Sequence, residues 1–476
     1  MLFNSFVFLV FAALFFLLFY FIRRSGNRQL RWGFLVAASF FFYGWWDWRF
    51  LFLIMGSGLI DYFSALAIQR YPRRRKFFLV LSILGNVGSL AVFKYSGFIA
   101  ENIDALLGIL NIESHLEERI PEFMMLLPVG ISFYTFQSMS YTIDVYKGSL
   151  KPTRKVLHFF AYLALFPQLV AGPIVRARDL LPQLMEVRPT NELERWNGLK
   201  LIIIGYFKKV VLADNIAPMV NSGFANIHLT DNGPFWWVMI IGFSFQIYFD
   251  FSGYSDIARG LAKWMGLHFR LNFNHPYHSR SLREFWTRWH ISLSTWFRDY
   301  VYIPLGGSRK GRWNAHLFMW ITMVVSGLWH GAAWTFIIWG ALHAFYISME
   351  RFTHWPQRLK RIPAGGLLSI AVVNILVLVG WVFFRAESAG DAVTILSNMW
   401  TPGGEGGFVL NDEIRNGLIW LAVSISIEVI TYFRIKPHLY LPVRYRRIAD
   451  MGYVLLMVLA CIYLRGEGNV FIYFQF

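Results

Sequence analysis

The chain has little of what soluble domains depend on. Only 15% of its 476 residues are charged, against roughly a quarter in an ordinary soluble domain. It has one cysteine, Cys461, so internal disulfides, cysteine-based zinc sites and CxxC redox pairs are excluded. That thiol lies inside the last apolar run, where packing is its expected role. A GxSxG elbow, a Walker A loop, an HExxH helix and a GxGxxG turn after a strand are all missing. The soluble enzyme classes that carry those motifs are excluded with them. No internal repeat of fixed period and no low-complexity linker is present.

Hydrophobic residues fill the chain instead, at 56%, with 19% aromatic. A bilayer core takes about 20 apolar residues per crossing helix, and apolar runs recur from the first residues to the last. The expected fold is all-α: a polytopic membrane protein with about 10–12 transmembrane helices plus re-entrant segments. It is expected to form a single integral membrane domain over residues 1–476. The opening MLFNSFVFLVFAALFFLLFYFI lacks a basic n-region and a small-residue cleavage site. It reads as the first spanning helix rather than a signal peptide.

The formal net charge of +17 has two readings. One is an anionic polymer as partner. The other is the positive-inside rule with attraction to anionic lipid. The basic residues fall in short loops between apolar runs, as the second requires, and no nucleic-acid module is present, so no nucleic acid is expected as partner. Placing Arg23 to Arg31 and the later cluster Arg444, Arg446, Arg447 in the cytoplasm puts both chain ends outside. The run VLHFFAYLALFPQLVAGP, from residue 156, has basic residues on both sides and ends in Pro and Gly. It reads as re-entrant, since broken backbone at membrane depth is tolerated when buried in protein.

Polar residues at membrane depth are costly and point to function. In VVSGLWHGAAW, residues 324 to 334, His330 is flanked by Gly327 and Gly331 and followed by Ala332 and Ala333. A structural imidazole bonded to a carbonyl is the plain reading. Small neighbours that admit a second backbone or a thin substrate favour a neutral general base acting on a hydroxyl. His290 lies in REFWTRWHISLSTWFRDYVYIPLGG. A helix there would align Arg283, Trp286, His290 and Ser294 on one face, as an interfacial aromatic belt or as a second polar group in the same cavity. Asp250 and Asp256 are six apart and on different helix sides, so a structural role at a broken helix end is expected. The last six residues, FIYFQF, are too aromatic to lie in water. Tyr473 is either an interfacial anchor or a hydroxyl presented to the histidines.

Taken together, LLPVGISFYTFQSMSYTIDVYKG (126 to 148), FPQLVAGPIVRARDLLPQL (166 to 184), the stretch from Asp250 to Tyr277, EFWTRWHISLSTWFRDYVYIPLGG and SGLWHGAAWTFIIWG (326 to 340) resemble the membrane-bound O-acyltransferase family. The resemblance covers most of residues 126–340 and is nearest to the bacterial alginate O-acetylation branch of polysaccharide O-acetyltransferases. It implies a central tunnel, a cytoplasmic acyl donor and an acceptor hydroxyl. It places the family's catalytic histidine at His330 and its second position, His or Asn, at His290. It makes Tyr473, on a periplasmic aromatic tail spanning 465–476, a candidate acyl relay; the fused tail departs from many alginate-type members. The expected donor is acetyl-CoA or another acyl thioester, with no tightly bound cofactor and no metal. Expected partners are membrane lipids, a periplasmic SGNH-type O-acetyltransferase and exopolysaccharide machinery in the inner membrane. The product would be an exported polysaccharide of alginate, cellulose or peptidoglycan type. The alternatives are D-alanyl transfer from a carrier protein, a polysaccharide or lipid-linked sugar transporter, and a non-catalytic scaffold.

Overall fold

In a computed structural model, residues 1–126, 128–169, 172–186, 188–228, 230–404, 407–433, 443–469 and 471–472 are described. Among them the regular structure is helical throughout, with no strand. Five helical stretches are long and apolar enough to cross a bilayer: Phe6–Arg24, Arg49–Arg70, Pro72–Phe93, Gly365–Arg385 and Asp412–Tyr432. Other long helices trade hydropathy for buried polar groups. Gly233–Trp264 runs for 32 residues and buries Ser244, Gln246, Asp250, Ser252, Ser255 and Asp256. The chain folds as two compact units, residues 1–198 with 258–270 and residues 199–257 with 271–476.

In the first unit, Ser5 and Asn27 cap the helices Phe6–Arg24 and Arg28–Gly44 by accepting from Phe8 N and Leu30 N. Phe8, Phe11, Phe15 and Phe19 recur at helical spacing and are all buried. Phe166 closes against Phe11 and Phe15, with ring centroids 5.3 and 4.8 Å away. Phe166 belongs to the suspected re-entrant run, which forms two short helices, Val156–Leu163 and Phe166–Leu169. Eight helical residues rise about 12 Å, well short of the roughly 30 Å hydrocarbon core. The break between them is buried and its backbone is satisfied locally. Gln168 Nε2 donates to Tyr162 O at 2.6 Å, and Phe166 N donates to Ser39 Oγ at 3.2 Å. The same unit ties Arg49–Arg70, Arg75–Phe93 and Ile131–Tyr146 together at the buried Asp61. Its carboxylate accepts from Ser82 and Ser138, from Asn86 at 2.7 Å and from Thr142 at 3.2 Å.

The second unit centres on a hairpin of two helices, Arg312–His330 and Trp334–Thr353. Their backbones meet through glycine. A Cβ on Gly327 would lie 2.2 Å from Phe336 O, and one on Gly340 would lie 2.5 Å from Met323 O. Only a residue without a side chain permits that approach. The room beside His330 is therefore taken by the partner helix, not left for substrate. Gly331 is likewise covered, by the Phe336 ring. The chain between the two helices is extended, with Gly331 at φ −158° and Ala333 at φ −150°.

Candidate active site

His330 is the last residue of its helix and is 4% exposed. Its ring lies 4.9 Å from Trp329, 5.0 Å from Trp339 and 5.2 Å from Phe384. Three aromatic rings pack against the imidazole and keep bulk water from it.

His290 does not lie on a continuous helix face with Arg283 and Trp286. The helix Leu282–Arg288 ends before it and Ile291–Phe297 begins after it. His290 itself stands between them in the left-handed region, at φ 39° and ψ 55°. That conformation is uncommon for a residue with a side chain and clusters at functional sites. Asn272 holds it in place. Ile291 N donates to Asn272 O at 2.9 Å, and Ser292 donates to Asn272 Oδ1 through both N and Oγ, at 3.1 and 2.9 Å. Asn272 Nδ2 in turn donates to Ser255 Oγ at 3.1 Å. The fixed ring is fully buried, 4.6 Å from Phe251 and 6.3 Å from Trp329. Trp329 thus touches both site histidines, and the two predicted residues come together across one indole.

The C-terminal tail approaches the same rings. After the helix ending at Tyr463, the chain is exposed at Leu464, Arg465, Glu467 and Gly468, half-buried at Gly466 and Asn469, and buried at Phe471 and Ile472. Phe471 packs 4.4 Å from Tyr254 and 5.5 Å from Phe251, so Phe251 has His290 and Phe471 as neighbours. Tyr473 lies outside the described residues, as does the rest of FIYFQF beyond Ile472.

What anchors the tail escaped the sequence reading. Lys209, 1% exposed, sits in a π-helical turn, Phe207–Ala213. Its Nζ is 2.9 Å from both Asp214 Oδ1 and Asp250 Oδ1, and it donates to Asn469 O at 3.1 Å. Asp250 Oδ2 accepts from Ile472 N at 2.8 Å. Gly466 N donates to Val210 O at 2.8 Å. Asp250 is therefore structural, as expected, but on an unbroken helix and with a lysine as its cation. Asp256 pairs separately with Lys208 at 2.7 Å. The available signal was a lysine between apolar residues, which at membrane depth needs an acidic partner. Among the described residues, no group of three or more His, Cys, Asp or Glu side chains converges as metal ligands do.

The sequence model of the membrane-bound O-acyltransferase family matches residues 154–386. The chain is 38% identical over 445 residues to the probable alginate O-acetylase of Pseudomonas putida, covering 92% of this chain and 88% of that protein. It belongs to the membrane-bound O-acyltransferase family. The corresponding protein of Azotobacter vinelandii is 40% identical over 407 residues, covering 85% of this chain and 79% of its own length. The peptidoglycan O-acetyltransferase of Helicobacter pylori is 35% identical over 394 residues, covering 77% and 73%. The chain is a membrane-bound O-acyltransferase, and His290 and His330 both fall inside the matched family region.

Proposed function

We propose that this enzyme takes acetyl from a cytoplasmic thioester, acetyl-CoA, and passes it across the inner membrane for O-acetylation of an exported polysaccharide. The observation that carries the reading is the convergence of His330, His290 and the inserted tail on the contiguous rings of Trp329 and Phe251. His330 is the general base. It takes the proton of the acceptor hydroxyl as the oxygen attacks the thioester carbonyl. The new C–O bond forms, the C–S bond breaks, and the proton passes to the leaving thiolate. His290 orients the acceptor or polarises the carbonyl. Tyr473 is the acceptor, holding acetyl as an aryl ester until a periplasmic SGNH-type transferase of the exopolysaccharide machinery removes it. Burial excludes water that would hydrolyse the thioester. The names of the relatives support acetyl as the cargo and alginate- or peptidoglycan-type glycan as its destination. The basic loops support an orientation with both termini in the periplasm.

The test is peptide mass spectrometry on protein purified from cells, wild type beside His330→Ala. An acetyl on the C-terminal peptide of the wild type that disappears in the mutant supports enzyme chemistry and relay together. An unmodified peptide, with glycan acetylation still dependent on His330, removes the relay and leaves direct transfer. Glycan acetylation indifferent to His330 overturns the assignment of the base.

A further inference from the structure

The end of the hairpin opposite His330 holds a groove that the acyl transfer does not use. It lies between the first turns of Arg312–His330 and the last turns of Trp334–Thr353. Its volume is about 460 Å³, and Trp313, His316, Phe345 and Phe352 are among the residues that line it. The walls are fixed in place. Trp320 Nε1 donates to Ser348 Oγ at 3.0 Å across the two helices. His316 stacks on Phe352, with ring centroids 4.6 Å apart and planes 7° from parallel. Trp313, 79% exposed, stands at the rim 6.2 Å from Phe352.

Two features of the surface around the groove bear on its occupant. The first is apolar. Trp313, Leu317, Ile321 and Val325 follow one another at four-residue spacing along one helix face, and all four are exposed. At 1.5 Å per residue this stripe runs about 18 Å from the groove, slightly more than half of the roughly 30 Å hydrocarbon core. That is the depth of one leaflet. The second feature is cationic and lies at the mouth. The Arg312 guanidinium sits over the Phe352 ring, 5.4 Å from its centroid, and Arg351 is the residue before Phe352. Both arginines are exposed, and among the described residues neither forms an ion pair. The neighbouring Glu350 is turned to another helix, where it accepts from Leu282 N at 2.5 Å. The helix Arg312–His330 also begins here, with Gly311 as a cap that offers no side chain, so the positive end of its dipole adds to the two guanidinium charges.

A ligand that matches both features carries negative charge at the membrane surface and a hydrocarbon chain beneath it. We propose that the groove binds an anionic phospholipid, its phosphate between Arg312 and Arg351 and one acyl chain along Trp313, Leu317, Ile321 and Val325. Guanidinium groups suit phosphate oxygens, and basic pockets between membrane helices on the cytoplasmic side bind such headgroups. The orientation proposed above puts this end of the hairpin in the cytoplasmic leaflet. The site is independent of which thioester is the donor and of any relay through Tyr473. Its consequence is mechanical. Arg312 opens one helix and Arg351 lies two residues from the end of the other, so one phosphate held by both ties the hairpin at the end away from His330. The lipid stiffens the element that carries His330 without touching the reacting atoms.

The test is native mass spectrometry on the delipidated full-length enzyme, titrated in turn with dioleoylphosphatidylglycerol and dioleoylphosphatidylcholine. The wild type should bind one phosphatidylglycerol in clear preference to phosphatidylcholine. That affinity should fall about fivefold in Arg312→Gln or Arg351→Gln and about 25-fold in the double variant. Arg73→Gln/Arg74→Gln removes the same charge from a different exposed basic loop and should leave the affinity within about twofold. Phosphatidylglycerol should raise the melting temperature of the wild type and not that of the groove double variant. Equal melting temperatures of the two in phosphatidylcholine show that the variant is folded, and the single variants carry the test if it is not. Phosphatidylglycerol with a diazirine on its acyl chain should label peptides within 313–325 or 345–352. Equal losses of affinity in the two double variants, or labelling confined to other helices, overturn the site. Full stabilisation by glycerol phosphate, which has no chain, assigns the arginines to a soluble anion and overturns the lipid. A dimer that Trp313→Ala converts to monomer, with no preference for phosphatidylglycerol, gives the groove to a second copy of the chain and overturns it also.

Discussion

The buried Lys209 cluster makes a prediction whose order of effects follows from charge counting. One ammonium lies between two carboxylates, Asp214 and Asp250, each at 2.9 Å. At that distance and an effective dielectric near 20, each attraction is about 6 kcal/mol before desolvation. Burying three charges offsets much of this, so the measurable quantity is the cost of stranding what remains. Lys209→Met leaves two carboxylates facing each other without a cation, and should cost about 3–5 kcal/mol. Asp250→Asn leaves a neutral Lys209–Asp214 pair and still offers an amide oxygen to Ile472 N. It should cost less than half as much. The double variant Lys209→Met/Asp250→Asn should be more stable than Lys209→Met alone, because one stranded charge has gone. Unfolding by SDS titration in mixed micelles measures all three. Limited proteolysis after residue 464 should show the tail released in Lys209→Met and retained in Asp250→Asn. Additive losses in the double variant, or a Lys209→Met variant within about 1 kcal/mol of wild type, would refute the reasoning.

Further consequences can be checked in the same preparations. Removing the proposed base in His330→Ala should lower acetyl transfer by about 10²- to 10⁴-fold with the melting temperature nearly unchanged, read by thiol release. At His290, Asn tolerates the left-handed backbone that branched side chains resist. His290→Asn should therefore keep more activity, and a higher melting temperature, than His290→Val. Gly327→Leu would drive a side chain into Phe336 O and force the hairpin apart. It should destabilise by about 1–3 kcal/mol or more and lower activity through loss of folded protein, whereas a wild-type melting curve would show that the helices do not meet there. Asn272→Ala removes both supports of Ser292 and should lower kcat more than it lowers stability, measured as a kcat loss at saturating donor.

The features legible in the sequence were those written in contiguous residues. Glycine and alanine after His330 announced the interruption between two long helices. Proline and glycine around residues 156–172, with basic residues on both sides, announced a segment broken into two short helices. What escaped was decided by residues far apart in the chain. Periodicity over 283–294 indicated one helix, yet Asn272, 18 residues before His290, holds the left-handed turn that breaks it. Lys209 and Asp250 are 41 residues apart, so neither neighbourhood announces the other.

The inserted tail also has a kinetic meaning. Because Phe471 and Ile472 are held beside Phe251 and Asp250 by the enzyme's own chain, an acceptor carried on the tail, as proposed above, never diffuses away. A separate acceptor peptide would be set by its expression level and its dissociation constant. A covalently attached one is present at a ratio of one per enzyme and at a fixed, high local concentration, independent of how much enzyme is made. Under the relay proposed above, the enzyme reloads in place, and its throughput is set by how fast a partner unloads the tail.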